Sequence, residues 1–130
     1  MSLPTTSLYA GVLGILMILL AMRVSGARVK YKSSIGLDSS PELFEAIRRH
    51  GNFIEWVPFA LVLMALCESN GLPKIYLHAA GISLVVARVL HPFGLKHDVM
   101  PHPFRAIGSG VTMLVVFILA VVSIWQWVVV

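Results

Sequence analysis

Within this 130-residue chain, Arg48, Asn52 and Glu55 stand at i, i+4 and i+7. On a helix turning by about 100° per residue, their directions fall within roughly 60° of one another, a single polar stripe bordered by Trp56. Arg88 and His91 make a second such pair, at i and i+3, in an otherwise apolar run. Arg105 opens the last apolar run and Arg28 follows the first. Glu55 is expected to neutralise Arg48 or Arg88, with Asn52 hydrogen-bonding across helices. One acid cannot balance Arg28, Arg48, Arg88 and Arg105 together, so the excess points to a small polyanionic ligand. A ligand carrying carboxylates and an ammonium would use the arginines, the asparagine and the glutamate at once.

Other chemistries find less support. The single cysteine, Cys67, excludes an intrachain disulfide and a Cys-based zinc cluster. It lies deep in an apolar stretch with no cationic neighbour in sequence, a poor setting for a thiolate. No Ser-His-Asp arrangement and no pair of acids suited to general acid–base work is present. His91, His97 and His102, with Asp98, match no compact metal-binding spacing, and Pro92, Pro101 and Pro103 make the segment a turning loop. No metal is expected there.

The elements that must position these residues follow from composition. Apolar residues make up 58% of the chain and charged ones 12%, against about 45–50% and about 25% in soluble domains. So few charges cannot hydrate a globule of this size. Four nearly uncharged stretches, at roughly 4–23, 41–69, 74–94 and 105–129, have bilayer-spanning length. The expected fold is all-α: one integral-membrane four-helix domain over residues 1–130. The first stretch lacks the basic region that precedes the apolar core of a secretory signal, and reads as a span.

Ser40-Pro41-Glu42 reads as a helix start, with Ser40 as N-cap and Pro41 at the first helical position. Asn70-Gly71-Leu72-Pro73 stops that helix about 43 Å later at roughly 1.5 Å per residue. Pro58, with apolar sequence on both sides, predicts a kink rather than an end. Gly26 and Gly36 are expected to break regular structure between the first two spans. Trp125 and Trp127 suit an interfacial anchor.

Four spans place both termini on one side. Nine of the ten Lys and Arg residues fall on or near the opposite side, Lys74 alone excepted. By the positive-inside rule, the first and third connections are expected in the cytoplasm. The net charge of +4 fits contact with anionic headgroups, and no soluble basic domain supports nucleic-acid binding.

Arg48-x-x-x-Asn52-x-x-Glu55-x-x-Pro58 on the second of four spans resembles the signature of the MAPEG family, the membrane-associated proteins in eicosanoid and glutathione metabolism. The string from Arg48 to Trp56 is similar to that of bacterial members. The resemblance extends to Ala87-Arg88-Val89-Leu90-His91 and to Pro103-Phe104-Arg105, and covers essentially the whole chain. It implies a homotrimer with glutathione bound between subunits near the cytosolic face. Arg28, Arg48, His50, Asn52, Glu55, Trp56, Arg88 and His91 match positions that bind or border glutathione, and Arg105 matches the arginine beside its thiol. Two departures stand out. Leu95 occupies the place where several members carry a tyrosine, and Ala106 offers no hydroxyl directly after Arg105.

The resemblance implies a glutathione transferase of a bacterial inner membrane, with glutathione as co-substrate and no metal. It would conjugate hydrophobic electrophiles drawn from the bilayer, or reduce lipid hydroperoxides. A free thiol, with a pKa of about 8.5, is mostly protonated at neutral pH; Arg105 would favour the thiolate electrostatically, since arginine stays protonated and cannot act as a base. The alternative is a non-catalytic lipid-binding or scaffold protein of the same fold. A small transporter subunit would need Gly/Pro-broken half-helices at the membrane midplane, and none is evident.

Overall fold

The computed structural model describes residues 2–36, 40–96 and 102–129. They form four helices: α1 (Pro4–Lys30), α2 (Pro41–Ser69), α3 (Lys74–Gly94) and α4 (Pro103–Val129). All four are long and apolar enough to cross a membrane. In cross-section α1 packs on α2, α2 on α4, α4 on α3 and α3 back on α1. Helices α2 and α3 also meet across the short diagonal, whereas α1 and α4 do not touch among the described residues.

The chain runs alternately up and down, so two ends can be distinguished. Thr5, Glu68, His78 and Gln126 gather at one; the basic residues other than Lys74 flank the other. Glu68 caps the start of α1, its carboxylate accepting from the Thr5 and Thr6 amides at 2.9 and 2.8 Å. This serves donors that a helix N-terminus leaves unpaired, and the negative charge suits the helix dipole. At the same end Gln126 Nε2 donates to the Cys67 and Asn70 carbonyls, and the Tyr9 hydroxyl meets His78 Nδ1 at 2.8 Å. Cys67 is fully buried, its thiol donating to the Leu119 carbonyl.

Between the ends, Leu13, Phe53, Val57, Ala60 and Leu84 fill the centre of the bundle. Large apolar side chains such as Ile15, Phe59, Phe117 and Trp127 face outward. That inside-out abundance fits lipid rather than water as the solvent.

One local expectation is corrected. The first helix is not broken at Gly26 but continues through it to Lys30. Its last turns bury Ala27 against Leu43 and Ala46. Its end is also tied to α2, because Lys30 Nζ reaches Glu42 at 3.0 Å and the Tyr31 hydroxyl donates to the same carboxylate. These contacts outweigh the roughly 1 kcal/mol by which a mid-helix glycine weakens a helix. Gly36 does mark a turn, at φ +102°. The start of α2 follows its sequence signals, with Ser40 Oγ accepting from the Leu43 amide at 3.0 Å. Helix α2 runs unbroken through Pro58.

Candidate functional site

At the basic end, α2, α3 and α4 enclose a cleft of about 300 Å³. Arg48 and Asn52 enter it from α2, His91 from α3, and Arg105 from the first turn of α4. Deeper in the bundle, a second cavity of about 180 Å³ is lined by Asn52, Trp56, Arg88, Ser109, Thr112 and Met113. Asn52 and Ser109 line both spaces.

Close helix contact sets this geometry. A Cβ on Gly108 would lie 2.7 Å from His91 Cβ, and one on Gly94 only 2.2 Å from the Arg105 amide nitrogen. Both distances are below any real Cβ contact, so α4 approaches α3 this closely only because these positions carry no side chain. That approach brings Arg105 and Ser109 beside His91.

The polar groups bordering the two cavities are incompletely served. Arg88 is 1% exposed, and its Nη2 donates a 2.8 Å bond to Asn52 Oδ1. Its Nε has no partner among the described residues, although the guanidinium lies 5.6 Å over the Phe53 ring. His91 is equally buried, and neither ring nitrogen finds a partner among the described residues. A buried polar group without a hydrogen bond costs on the order of 1–3 kcal/mol, and more if charged. His91 borders the outer cleft and Arg88 the inner cavity, so each space has a buried polar group that the described residues do not fully satisfy.

The expected pairing of Glu55 is resolved in favour of Arg48. Their side chains meet at 3.4 Å and are 51% and 44% exposed, whereas Arg88 bonds Asn52 instead. Glu55 is half exposed on α2, as Arg48 is, whereas the Arg88 guanidinium is buried. Glu55 does not line the cleft. Nor does half-buried His50, nor Arg28, whose Nη1 donates to the Ser33 and Gly36 carbonyls at 3.3 Å and folds the loop after α1. The structure thus brings together Arg48, Asn52, His91 and Arg105, with Arg88 and Trp56 just beneath, and leaves Arg28, His50 and Glu55 outside.

Several lining residues lay beyond the sequence argument. Phe44, Glu45 and Lys96 border the cleft, and Leu95 stands in it. Arg49 anchors the rim, donating from Nη2 to Glu45 at 3.1 Å and from Nε to the Leu95 carbonyl at 3.1 Å. Ser109 is the more informative case. No hydroxyl follows Arg105 directly, but Ser109, one helical turn later, places one in the cleft; its i+4 spacing was the available signal. Of the candidate metal ligands, His97 and Asp98 lie outside the described residues. His102 Nδ1 accepts from the Phe104 amide at 3.2 Å at the start of α4.

The sequence matches the MAPEG family over residues 6–125. It is similar to the inner membrane protein YecN of Escherichia coli strain K12, at 31% identity over 120 residues, covering 92% of this chain and 90% of that protein. The YecN of Escherichia coli O6:H1 matches to the same extent. The chain belongs to the MAPEG family, with the membrane glutathione-transferase-like fold of that family. Four apolar helices and an inner-membrane relative make it an integral, multi-pass membrane protein.

Proposed function

We propose that this protein is a membrane glutathione transferase, which holds glutathione in the α2–α4 cleft and conjugates it to hydrophobic electrophiles. The observation that carries this reading is the gathering of Arg48, Asn52, His91 and Arg105 in one cleft, above an inner cavity bordered by Arg88; Arg88 Nε and the His91 ring nitrogens are buried with no partner among the described residues. In this reading Arg48, Asn52 and Arg88 hold the carboxylates of the tripeptide, and Trp56 and His91 pack and orient it. The Arg105 guanidinium stands by the sulfur and lowers the cost of losing its proton. The thiolate attacks the electrophilic carbon, forming a C–S bond as the leaving group departs with its electron pair. With a lipid hydroperoxide the thiolate instead attacks the distal oxygen, breaking the O–O bond to release the lipid alcohol and leave glutathione sulfenic acid; a second glutathione then displaces water from that sulfur to give glutathione disulfide. Met113, exposed on the outer surface, and half-buried Trp56 line the inner cavity and offer an apolar route from the bilayer.

The same reading includes a homotrimer. Arg48 and Glu55 are about half exposed on a spanning helix, where a charge facing lipid costs about 2.5–3.5 kcal/mol. Packing α2 of each protomer near a three-fold axis covers this stripe. It brings Arg28, His50 and Glu55 of a neighbour within reach of the cleft, where Glu55 meets the glutathione ammonium. The basic end faces the cytoplasm, where the positive-inside rule places it.

A second reading has one observation in its favour: apolar Leu95 occupies the cleft, where several family members carry a tyrosine. In that reading the protein binds a lipid or partner without catalysis. Glutathione-dependent conjugation of a generic aromatic electrophile by the purified protein, against detergent and lipid controls, separates the two. Conjugation above the uncatalysed rate supports the transferase; its absence with every electrophile class tried favours the binding protein.

A further inference from the structure

Beside the α2–α4 cleft, sharing Lys96 with it, α1, α2 and α3 leave a groove of about 410 Å³. Its walls are apolar: Leu16, Leu19 and Leu20 from α1 face Val89 and Phe93 from α3. Its end is basic, with Arg23, Arg49 and Lys96 lining it. Arg49 is already paired with Glu45. Exposed Arg23 and Lys96 make no ion pair with any described residue.

We propose that this groove binds one anionic phospholipid, its acyl chain lying along α1 and α3 and its phosphate held between Arg23 and Lys96. Three features select that occupant. The groove opens on a face that looks outward when α2 lies near the assembly axis, so lipid is the solvent that fills it. The apolar wall from Leu16 to Arg23 is about 10 Å long, which suits a chain rather than a compact anion. The cations stand where the spans leave the apolar stretch, since Arg23 ends the charge-free run of α1 and Lys96 follows the end of α3. That is headgroup depth, where each basic residue strengthens attraction to anionic lipid. Lys96 also borders the cleft, so a lipid phosphate would sit beside the entrance to the site without occupying it.

The test uses delipidated full-length protein in a neutral detergent, titrated with phosphatidylglycerol or with phosphatidylcholine of the same chains. Native mass spectrometry reads bound lipid per protomer. One phosphatidylglycerol per protomer should be retained, preferred over phosphatidylcholine by about thirtyfold. Arg23→Gln should cut that preference about fivefold, and Arg23→Gln with Lys96→Gln should bring it close to one. For the wild type, raising the salt should weaken the preference, and inorganic phosphate at equal concentration should not displace the lipid. Equal retention of the two lipids, a preference that survives the double substitution, or displacement by inorganic phosphate would each overturn the proposal. If the double variant cannot be purified, the wild-type salt and competition measurements decide the matter. Glutathione binding, measured on the same samples, reports on the cleft separately, so failure there leaves the lipid result interpretable.

Discussion

Asn52 offers a perturbation whose two consequences have opposite signs. Its Oδ1 accepts the 2.8 Å bond from Arg88, a guanidinium 1% exposed and otherwise underserved. Asn52→Asp replaces this neutral acceptor with a carboxylate of nearly the same shape. In the ligand-free protein the buried cation gains a counter-charge, and charge–charge hydrogen bonds are roughly twice as strong as neutral ones. Part of the gain is offset by desolvating the new carboxylate, leaving a stabilisation of about 1 kcal/mol. Glutathione binding should move the other way. The new charge faces the ligand's carboxylates and occupies the guanidinium meant for them, and losing a hydrogen bond to a charged group costs about 1.5–3 kcal/mol. Affinity should therefore fall by tenfold or more. Asn52→Leu removes the acceptor altogether and should weaken both the ligand-free fold and binding. Thermal unfolding in detergent and equilibrium binding of glutathione, measured on all three proteins, give the signs. An Asn52→Asp protein that melts lower than wild type, or binds glutathione equally well, would refute the argument that Arg88 awaits an anion.

Other substitutions probe separate parts of the account. Arg105→Ala should raise the thiol pKa of bound glutathione and slow single-turnover conjugation while binding survives, with Arg105→Lys recovering only part, since an ammonium lacks the planar fork; thiolate absorbance against pH reads the shift. Ser109→Ala, which removes the hydroxyl one turn beyond Arg105, should slow conjugation severalfold with little change in glutathione affinity, measured as a rate against a dissociation constant. Glu55→Gln should weaken glutathione binding by about tenfold, an effect that requires a neighbouring subunit because Glu55 does not line the cleft of its own protomer. Detergent-corrected particle mass should give three chains, and a monomer would remove the basis for that expectation.

The helices were legible because lipid leaves few ways to satisfy a backbone: long apolar runs, a Ser40 cap and an Asn70-Gly71 stop leave little else to fold. The far end of α1 was not, because Gly26 argues locally for a break while the contacts that override it, Ala27 with Leu43 and Ala46, lie in a different helix. The stripe of Arg48 and Asn52 was visible from helical spacing alone, and both do line one cleft with His91 and Arg105. Which acid pairs with which arginine was not visible. Glu55 lies close enough in angle to join the stripe, yet it is half exposed and meets Arg48 rather than the buried Arg88. Ser109 is not marked by sequence adjacency: Ala106 follows Arg105 directly, whereas a helix presents its neighbouring side chain one turn on. The α1–α3 groove could not be read at all, since its walls come from segments some 70 residues apart.

The central claim is that this cleft binds glutathione and holds its sulfur as a thiolate. Its most direct test is the ultraviolet difference spectrum on adding glutathione to the purified, assembled protein at neutral pH. The account predicts a saturable thiolate band that Arg105→Ala shifts to higher pH and that an electrophile discharges as conjugate forms. Saturable glutathione binding without that band, or a band unchanged in Arg105→Ala, would contradict it.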